Sequence, residues 1–272
     1  MIDLIVSQGR VADRAPRMIE GAARIAEALE HRYGLKGHRV GEPAPAADDD
    51  WSVSLPQARE TLLGLEEAVT ASTRAGNLTV MVSNTCSASL ATLPVVAREH
   101  PDAVLLYVDA HGDFNTPETT GTGYLGGMVL SAACGLWDSG HGAGLRPEQA
   151  VLVGARDIDE AEGELLRKAG VRIIPPRETT AENILDAVGE SPVWVHVDWD
   201  VLEPGHVPAD YTVPDGLLPE QIRMVFETVP SARLRGVELA EFNAPADPEV
   251  TEQAVSTILS MVAPAFRTAQ AG

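Results

Sequence analysis

Short apolar runs of strand length recur along this chain, and longer stretches with helical spacing separate them. The candidate strands begin near Ile2, Thr79, Ala103, Ala150, Val171, Val193 and Leu234. The candidate helices cover residues 16–32, 55–75, 159–169, 180–188, 219–228 and 248–265. Continuously apolar strands that alternate with helices are typical of a parallel sheet with helices on both faces. We therefore predict an α/β fold, and the length of 272 residues suits a single domain over residues 1–272.

Composition excludes several classes of partner. The formal net charge of −20 argues against nucleic acid, because phosphate binding requires a basic surface. No segment reaches the ~18 apolar residues of a membrane helix, and no signal-peptide pattern is evident. With only Cys86 and Cys134, a disulfide framework is not expected. We expect a cytoplasmic protein with a small-molecule partner, and we interpret the Gly/Pro/Asp-rich stretch 37–50 as a loop.

Two clusters of acidic and histidine side chains stand at the ends of candidate strands. Asp109, His111 and Asp113 alternate directly after one apolar run, and Asp198 and Asp200 close another. Residues two apart in a strand project from the same face, and ligands bind at the carboxyl edge of a parallel sheet. Carboxylates and imidazole suit divalent ions such as manganese, and carboxylates can bridge two ions. Acids also serve as caps and turns, but two such clusters favour one site for two divalent cations.

These motifs resemble the signatures of the arginase (ureohydrolase) family. The family patterns D-A-H-x-D and D-x-D-x-x-D-P correspond to residues 109–113 and 198–204, although Glu203 stands at the last acidic position. The resemblance covers nearly the whole chain in order. It implies two Mn²⁺ ions per chain, with ligands from Asp109, His111, Asp113, Asp198 and Asp200. In that pattern Asp109 and Asp198 bridge the two ions.

Cys86 is a departure from the family pattern. In the stretch 83–87 it stands where the family has a histidine ligand. Thiolate is a soft ligand and manganese prefers oxygen and nitrogen, so we expect the ion near Cys86 to be held more weakly or to be replaced by a softer metal. The alternative is a buried thiol that binds no metal.

Two further departures concern Gly126 and His196. Gly126 replaces a histidine that the family has at the mouth of the site, so another group must transfer a proton to the leaving amine. His196 replaces a small hydroxyl residue and precedes Asp198 by two positions, on the same strand face. It either assists catalysis by positioning a ligand or is a core histidine bonded to the backbone.

The same resemblance implies a set of substrate-binding residues. Asn115 and Thr122 match groups that contact an α-carboxylate, and Asp159 matches the acid that binds the α-amino group. Glu241 and Thr212 match the acid and the hydroxyl at the guanidino end. Fixed charges at both ends of a zwitterion orient it through charge-assisted hydrogen bonds. Because agmatine lacks the carboxylate, these matches favour an arginine-like amino acid.

The activity implied by the resemblance is hydrolysis of a guanidine by a hydroxide held between two metals. Asp113 would carry a proton to the departing amine, and Glu241 would stabilise developing charge. The departures at Cys86 and Gly126 resemble a branch that converts Nω-hydroxy-L-arginine to L-ornithine and hydroxyurea in D-cycloserine biosynthesis. An ordinary arginase, another guanidino-acid amidinohydrolase and a non-catalytic homologue remain alternatives. A homo-oligomer is compatible with the sequence.

Overall fold

A computed structural model describes residues 1–270 of the chain. The strands are β1 (Ile2–Ser7), β2 (Gly37–Val40), β3 (Leu78–Val82), β4 (Val104–Val108), β5 (Ala150–Val153), β6 (Arg172–Ile174), β7 (Val193–Asp198) and β8 (Leu234–Ala240). Within the described range they form one sheet in the order β2-β1-β3-β8-β7-β4-β5-β6. Every neighbouring pair in that order is parallel. The predicted α/β class with a parallel sheet is confirmed.

The helices connect the strands. They are α1 (Met18–Tyr33), α2 (Trp51–Arg74), α3 (Ser89–Glu99), α4 (Val129–Ala133), α5 (Glu160–Ala169), α6 (Ala181–Val188), α7 (Pro219–Thr228) and α8 (Pro248–Val262). Across the part of the chain described, none combines the length and apolar character needed to cross a bilayer. The start of α2 precedes the predicted boundary, because the Asp50 carboxylate caps it by accepting a hydrogen bond from the backbone N–H of Ser52.

Both faces of the sheet are covered, as the continuously apolar strands predict. Successive strand residues point to opposite faces, so Leu4 and Val6 join one buried cluster while Ile5 joins the other. The first cluster includes side chains of α1, α6, α7 and α8. The second includes side chains of α2, α3, α4 and α5. The core therefore consists of two apolar layers that hold the central strands rigid between them.

The predicted loop at 37–50 was wrong in its first four residues, which form β2. This strand lies at the sheet edge and pairs with β1. Only Val40 in it is buried, so an apolar run was absent from the sequence. The sequence also did not predict α3 and α4. In α3 the residues 89–96 are all buried, which removes the amphipathic spacing, and α4 has only five residues.

Candidate active site

The four central strands of the sheet carry the candidate site at their carboxyl ends. Cys86 follows β3, the cluster 109–113 follows β4, Asp198 ends β7 and Glu241 follows β8. The order β3-β8-β7-β4 makes these strands neighbours, so residues far apart in the sequence meet at one edge. A cavity of about 270 Å³ opens there and is lined by side chains from all four segments. This is the edge at which parallel α/β sheets bind ligands.

One group of ligand atoms is formed by Asp109, His111 and Asp200. The Nδ1 atom of His111 lies 3.0 Å from Oδ2 of Asp200 and 3.4 Å from Oδ1 of Asp109. The backbone N–H of His111 donates to Oδ1 of Asp109 at 2.7 Å, which fixes that carboxylate. The other oxygen, Oδ2 of Asp109, is buried and has no hydrogen-bond partner among the described residues. Two carboxylates and an imidazole thus converge around one point.

A second group is formed by Cys86, Asp198 and Glu241, whose ligand atoms lie within 4.8 Å of one another. The thiol of Cys86 donates to Oδ2 of Asp198 at 3.0 Å. A third group joins Cys86, Asp109 and His196, and among the described residues Asp113 belongs to none of the three. Its carboxylate lines the same cavity and accepts a hydrogen bond of 2.6 Å from the hydroxyl of Tyr107. The structure thus brings Cys86 together with Asp113, Asp198 and Asp200 at one cavity, and Asp109 lies behind this lining in contact with His111.

The electrostatics of the cavity fit divalent cations. Burial raises the pKa of Asp113, of Asp198 and of Glu241 well above its ordinary value, and neighbouring carboxylates raise each one further. Burial, and then the charge of Asp109, raises the pKa of Asp200 to about 6. Such crowding of buried acids is costly unless positive charge offsets it. The unpartnered oxygen of Asp109 and the oxygen-rich donor sets therefore fit divalent metal ions.

Asp113 and Glu241 have backbone conformations that side-chain-bearing residues rarely adopt. Their φ angles are 50° and 66°, in the left-handed region. For residues other than glycine this region costs roughly 1–2 kcal/mol. Both side chains line the cavity; Glu241 comes directly after β8, and Asp113 lies in the loop that follows β4. Strained residues of this kind cluster at functional sites, which supports a functional reason for both turns.

His196 lies behind Cys86 and outside the cavity lining formed by the described residues. Its Nε2 atom is 3.3 Å from Sγ of Cys86, and its Nδ1 atom is 2.9 Å from Oε2 of Glu238. The ring stacks on Tyr107 with centroids 4.2 Å apart. All of these groups are buried. This place fits a residue that positions Cys86 rather than one that touches a substrate. Glu238, a lone acid inside an apolar strand, was not predicted.

The residues predicted for the amino-acid end of a substrate lie together. Nδ2 of Asn115 donates to Oδ2 of Asp159 at 2.9 Å, and both residues line the cavity with Thr122. Asp159 also caps α5 by accepting a hydrogen bond from the N–H of Glu162. Thr212 is exposed and is not part of the cavity lining among the described residues. Its neighbour Tyr211, which is half exposed, lines the cavity instead.

The geometry agrees with the result of the sequence comparison. The sequence profile of the Arginase family matches residues 2–263. The chain belongs to the arginase family. It is 78% identical to the N(omega)-hydroxy-L-arginine amidinohydrolase of Streptomyces lavendulae, over 100% of this chain and 99% of that protein. It is 31% identical to an arginase of Eremothecium gossypii, over 82% of this chain and 61% of that protein.

Solved structures of arginases have the same fold. The arginase of Bacillus cereus superposes with a TM-score of 0.83 at 22% identity, and the match covers 98% of each chain. The arginase of Entamoeba histolytica, solved with L-ornithine, superposes with a TM-score of 0.84 at 18% identity. At these identities the likeness establishes the fold alone.

Besides Asp157 and Tyr211, three further residues of this arginase-family cavity were missed by sequence reasoning. Tyr124, Arg14 and Glu162 all line it. Burial raises the pKa of Glu162 to about 7, although its carboxylate accepts a hydrogen bond from the N–H of Phe114. Tyr124 could have been predicted from the sequence, because it is an aromatic residue only two positions before Gly126, where the chain departs from the family pattern. Arg14 and Glu162 lie in segments whose sequence carries no recognisable motif.

Proposed function

We propose that this protein hydrolyses Nω-hydroxy-L-arginine to L-ornithine and hydroxyurea. The observation that carries the proposal is the full-length similarity, at 78% identity, to a protein named for that reaction. The cavity supports the proposal, because Glu241 lines one end of it and the amide of Asn115 and the carboxylate of Asp159 line the other. A cavity of about 270 Å³ is matched to a small molecule.

The proposed orientation of the substrate follows from the charges that line the cavity. Asn115 and Thr122 bind the α-carboxylate, and Asp159 binds the α-amino group. Glu241 is buried, and its Oε2 atom has no hydrogen-bond partner among the described residues. A guanidino N–H is a donor that would satisfy this oxygen, and a charge-assisted hydrogen bond to it would fix the reacting end.

The proposed chemistry adds water to the guanidino carbon and breaks the bond to the δ-nitrogen of ornithine. Two Mn²⁺ ions, held by Cys86, Asp109, His111, Asp113, Asp198 and Asp200, would polarise the guanidine and lower the pKa of water. Asp113 accepts the proton of the attacking water and returns it to the departing amine. Tyr107 holds the carboxylate of Asp113 through its 2.6 Å hydrogen bond. Glu241 stabilises the charge that develops on the guanidino group.

The catalytic contribution proposed for His196 is indirect. It contacts Cys86 and is itself held by Glu238, so it orients the thiol at the cavity wall. Groups behind metal ligands commonly fix ligand orientation in this way. The expected consequence is an ion near Cys86 that is held more weakly than its partner, because thiol replaces imidazole.

A substrate panel tests the proposed function. Nω-Hydroxy-L-arginine, L-arginine and agmatine are each incubated with the Mn²⁺-loaded protein, and ornithine or putrescine, urea and hydroxyurea are quantified. We expect ornithine and hydroxyurea in equal amounts from hydroxyarginine, at a kcat/KM above that for arginine. Better turnover of arginine would indicate an ordinary arginase. Absence of turnover with both metals bound would indicate a non-catalytic homologue. We further propose that the hydroxyurea produced serves D-cycloserine biosynthesis.

A further inference from the structure

Tyr124 forms the side of the cavity next to the acid at the guanidino end. Its hydroxyl donates a hydrogen bond of 3.1 Å to Oε1 of Glu241. The guanidinium carbon of Arg14 lies 4.9 Å from the centre of its ring, a distance typical of a cation–π contact. The ring of Tyr211 lies 5.7 Å away on the cavity side. Tyr124 is therefore held in place by three neighbours.

Gly126 makes room for that ring. A Cβ atom at this position would lie 2.4 Å from Cε1 of Tyr124 and 2.9 Å from its Cζ, distances that real Cβ atoms do not tolerate. Any larger residue at 126, including the histidine of the family pattern, requires the ring to move. The tyrosine at 124 and the glycine at 126 thus form one steric unit. The ring of Tyr124 occupies the space that a side chain at 126 would enter.

The hydrogen bonds of Glu241 define what remains available to a substrate. Its Oε1 atom accepts from the backbone N–H of Cys86 at 2.8 Å and from Tyr124. Its Oε2 atom is unpartnered among the described residues. Because the O–H of Tyr124 is committed to Glu241, the phenol oxygen can act toward a ligand only as an acceptor. The Glu241 carboxylate, with its unpartnered Oε2, and the Tyr124 oxygen therefore form one pair of acceptors, joined by the 3.1 Å hydrogen bond at Oε1.

An N-hydroxyguanidine differs from a guanidine by one hydroxyl, which projects a donor beyond the terminal nitrogen. We propose that the Tyr124 oxygen accepts a hydrogen bond from the N-hydroxyl group of the substrate while Oε2 of Glu241 accepts from the guanidino N–H. Tyr124 is then a specificity-determining residue, seated by Gly126. This inference rests on the proposed function, because it names how that substrate is distinguished from arginine.

The test uses Tyr124→Phe in the Mn²⁺-loaded, full-length protein. We measure kcat/KM for Nω-hydroxy-L-arginine and the inhibition constant of L-arginine as a competitor in the same assay. Loss of one buried hydrogen bond should lower kcat/KM about tenfold or more, while the arginine constant changes much less. Tyr33→Phe removes a tyrosine hydroxyl in α1, outside the cavity, and serves as the matched control. If kcat/KM for hydroxyarginine and the affinity for arginine fell by the same factor, Tyr124 would only hold Glu241 in place, and the proposal would be overturned. It would also be overturned if neither quantity changed.

A second pair of variants tests the seating of the ring. Gly126→Ala should displace Tyr124 and reduce the preference for hydroxyarginine over arginine in the same direction as Tyr124→Phe. Gly121→Ala is its control, because a Cβ there meets nothing within 4 Å. If Gly126→Ala kept the wild-type preference for hydroxyarginine over arginine, the proposal that Gly126 seats the Tyr124 ring would be overturned. Wild-type protein that fails to hydrolyse hydroxyarginine would instead overturn the proposed function, so the two failures are distinct.

Discussion

The sulfur of Cys86 lies 3.3 Å from Nε2 of His196, and the imidazole is held from behind by Glu238. The 3.3 Å contact leaves no room for an imidazole on the His196 side of residue 86, so a histidine there would have to turn its ring toward the cavity or displace His196. The two departures from the family pattern, cysteine for histidine at 86 and histidine for a small hydroxyl residue at 196, are therefore sterically coupled. Histidine at 86 alone would crowd His196, and a small residue at 196 alone would leave unfilled space behind Cys86.

This coupling predicts how Cys86→His behaves. The double variant Cys86→His/His196→Ser should bind Mn²⁺ more tightly than wild type, because imidazole suits that ion better than thiol does. It should also raise activity on arginine relative to hydroxyarginine. Cys86→His alone should be less stable than the double variant, because of overpacking. Metal titration and thermal denaturation of the three proteins measure both effects. Unchanged metal affinity in the double variant would place residue 86 outside the coordination sphere.

Removal of a predicted bridging carboxylate should abolish activity. Asp109→Ala and Asp198→Ala each delete a buried ligand that would join two ions, so both should lose bound metal and turnover together. Asp109→Asn keeps the shape but removes a charge, and should weaken metal binding first. Asp102→Ala, at an exposed acid before β4, is the control. Metal analysis beside an ornithine assay checks this, and near-normal turnover with full metal content would contradict the two-metal assignment.

Asn115 should control the preference for an amino acid. Because Asn115 and Asp159 lie at the end of the cavity assigned to the α-carbon, agmatine should react at least about tenfold less efficiently than the amino-acid substrate. Asn115→Ala should raise KM for the amino acid and leave the KM for agmatine little changed, which narrows that gap. Steady-state kinetics with both substrates measures it. An equal effect on both would show that Asn115 supports the loop rather than the carboxylate.

Glu162 should make the stability of the metal-free protein depend on pH. Burial raises its pKa from 4.5 to about 7, so the folded state keeps a proton that the unfolded state releases. Its contribution is fully present below about pH 4.5 and is lost as pH rises to about 7, by on the order of 3 kcal/mol. Glu162→Gln should reduce the fall in unfolding free energy between about pH 5 and about pH 8, measured by urea denaturation. Glu160→Gln, exposed in the same helix, should not. If the unfolding free energy fell by the same amount over this pH range in both variants, Glu162 would not have this role.

The sequence predicted the class of the fold and the edge of the sheet that carries the site. Strands such as β7 are largely apolar and end in an acidic residue. The sequence therefore indicates both where such a strand lies and which of its ends carries the site. The edge strand β2 was missed because three of its four side chains are partly or fully exposed. The helix α3 was missed because burial on all sides leaves it without an amphipathic period.

For the site, motif spacing was sufficient where ligands share a strand end, as for Asp198 and Asp200. It was insufficient where contacts join distant segments. Tyr124 reaches Glu241 across 117 positions of sequence, and Cys86 reaches His196 across 110. Loop conformation decides such contacts, which is also why the cavity receives Tyr211 rather than the predicted Thr212.

The central position of β3 beside β8 has a consequence for how the chain folds. Residues 79–82 pair with residues 236–239, so most of the polypeptide lies in the loop between these partners. Closing such a loop costs entropy before its contacts can stabilise it, and pairings of this range form slowly. Cys86 and Glu241 stand on either side of that junction. A nascent or nicked chain that lacks β8 therefore holds only part of the cavity. A ligand that spans this junction stabilises the completed sheet, and its binding reports that folding has finished.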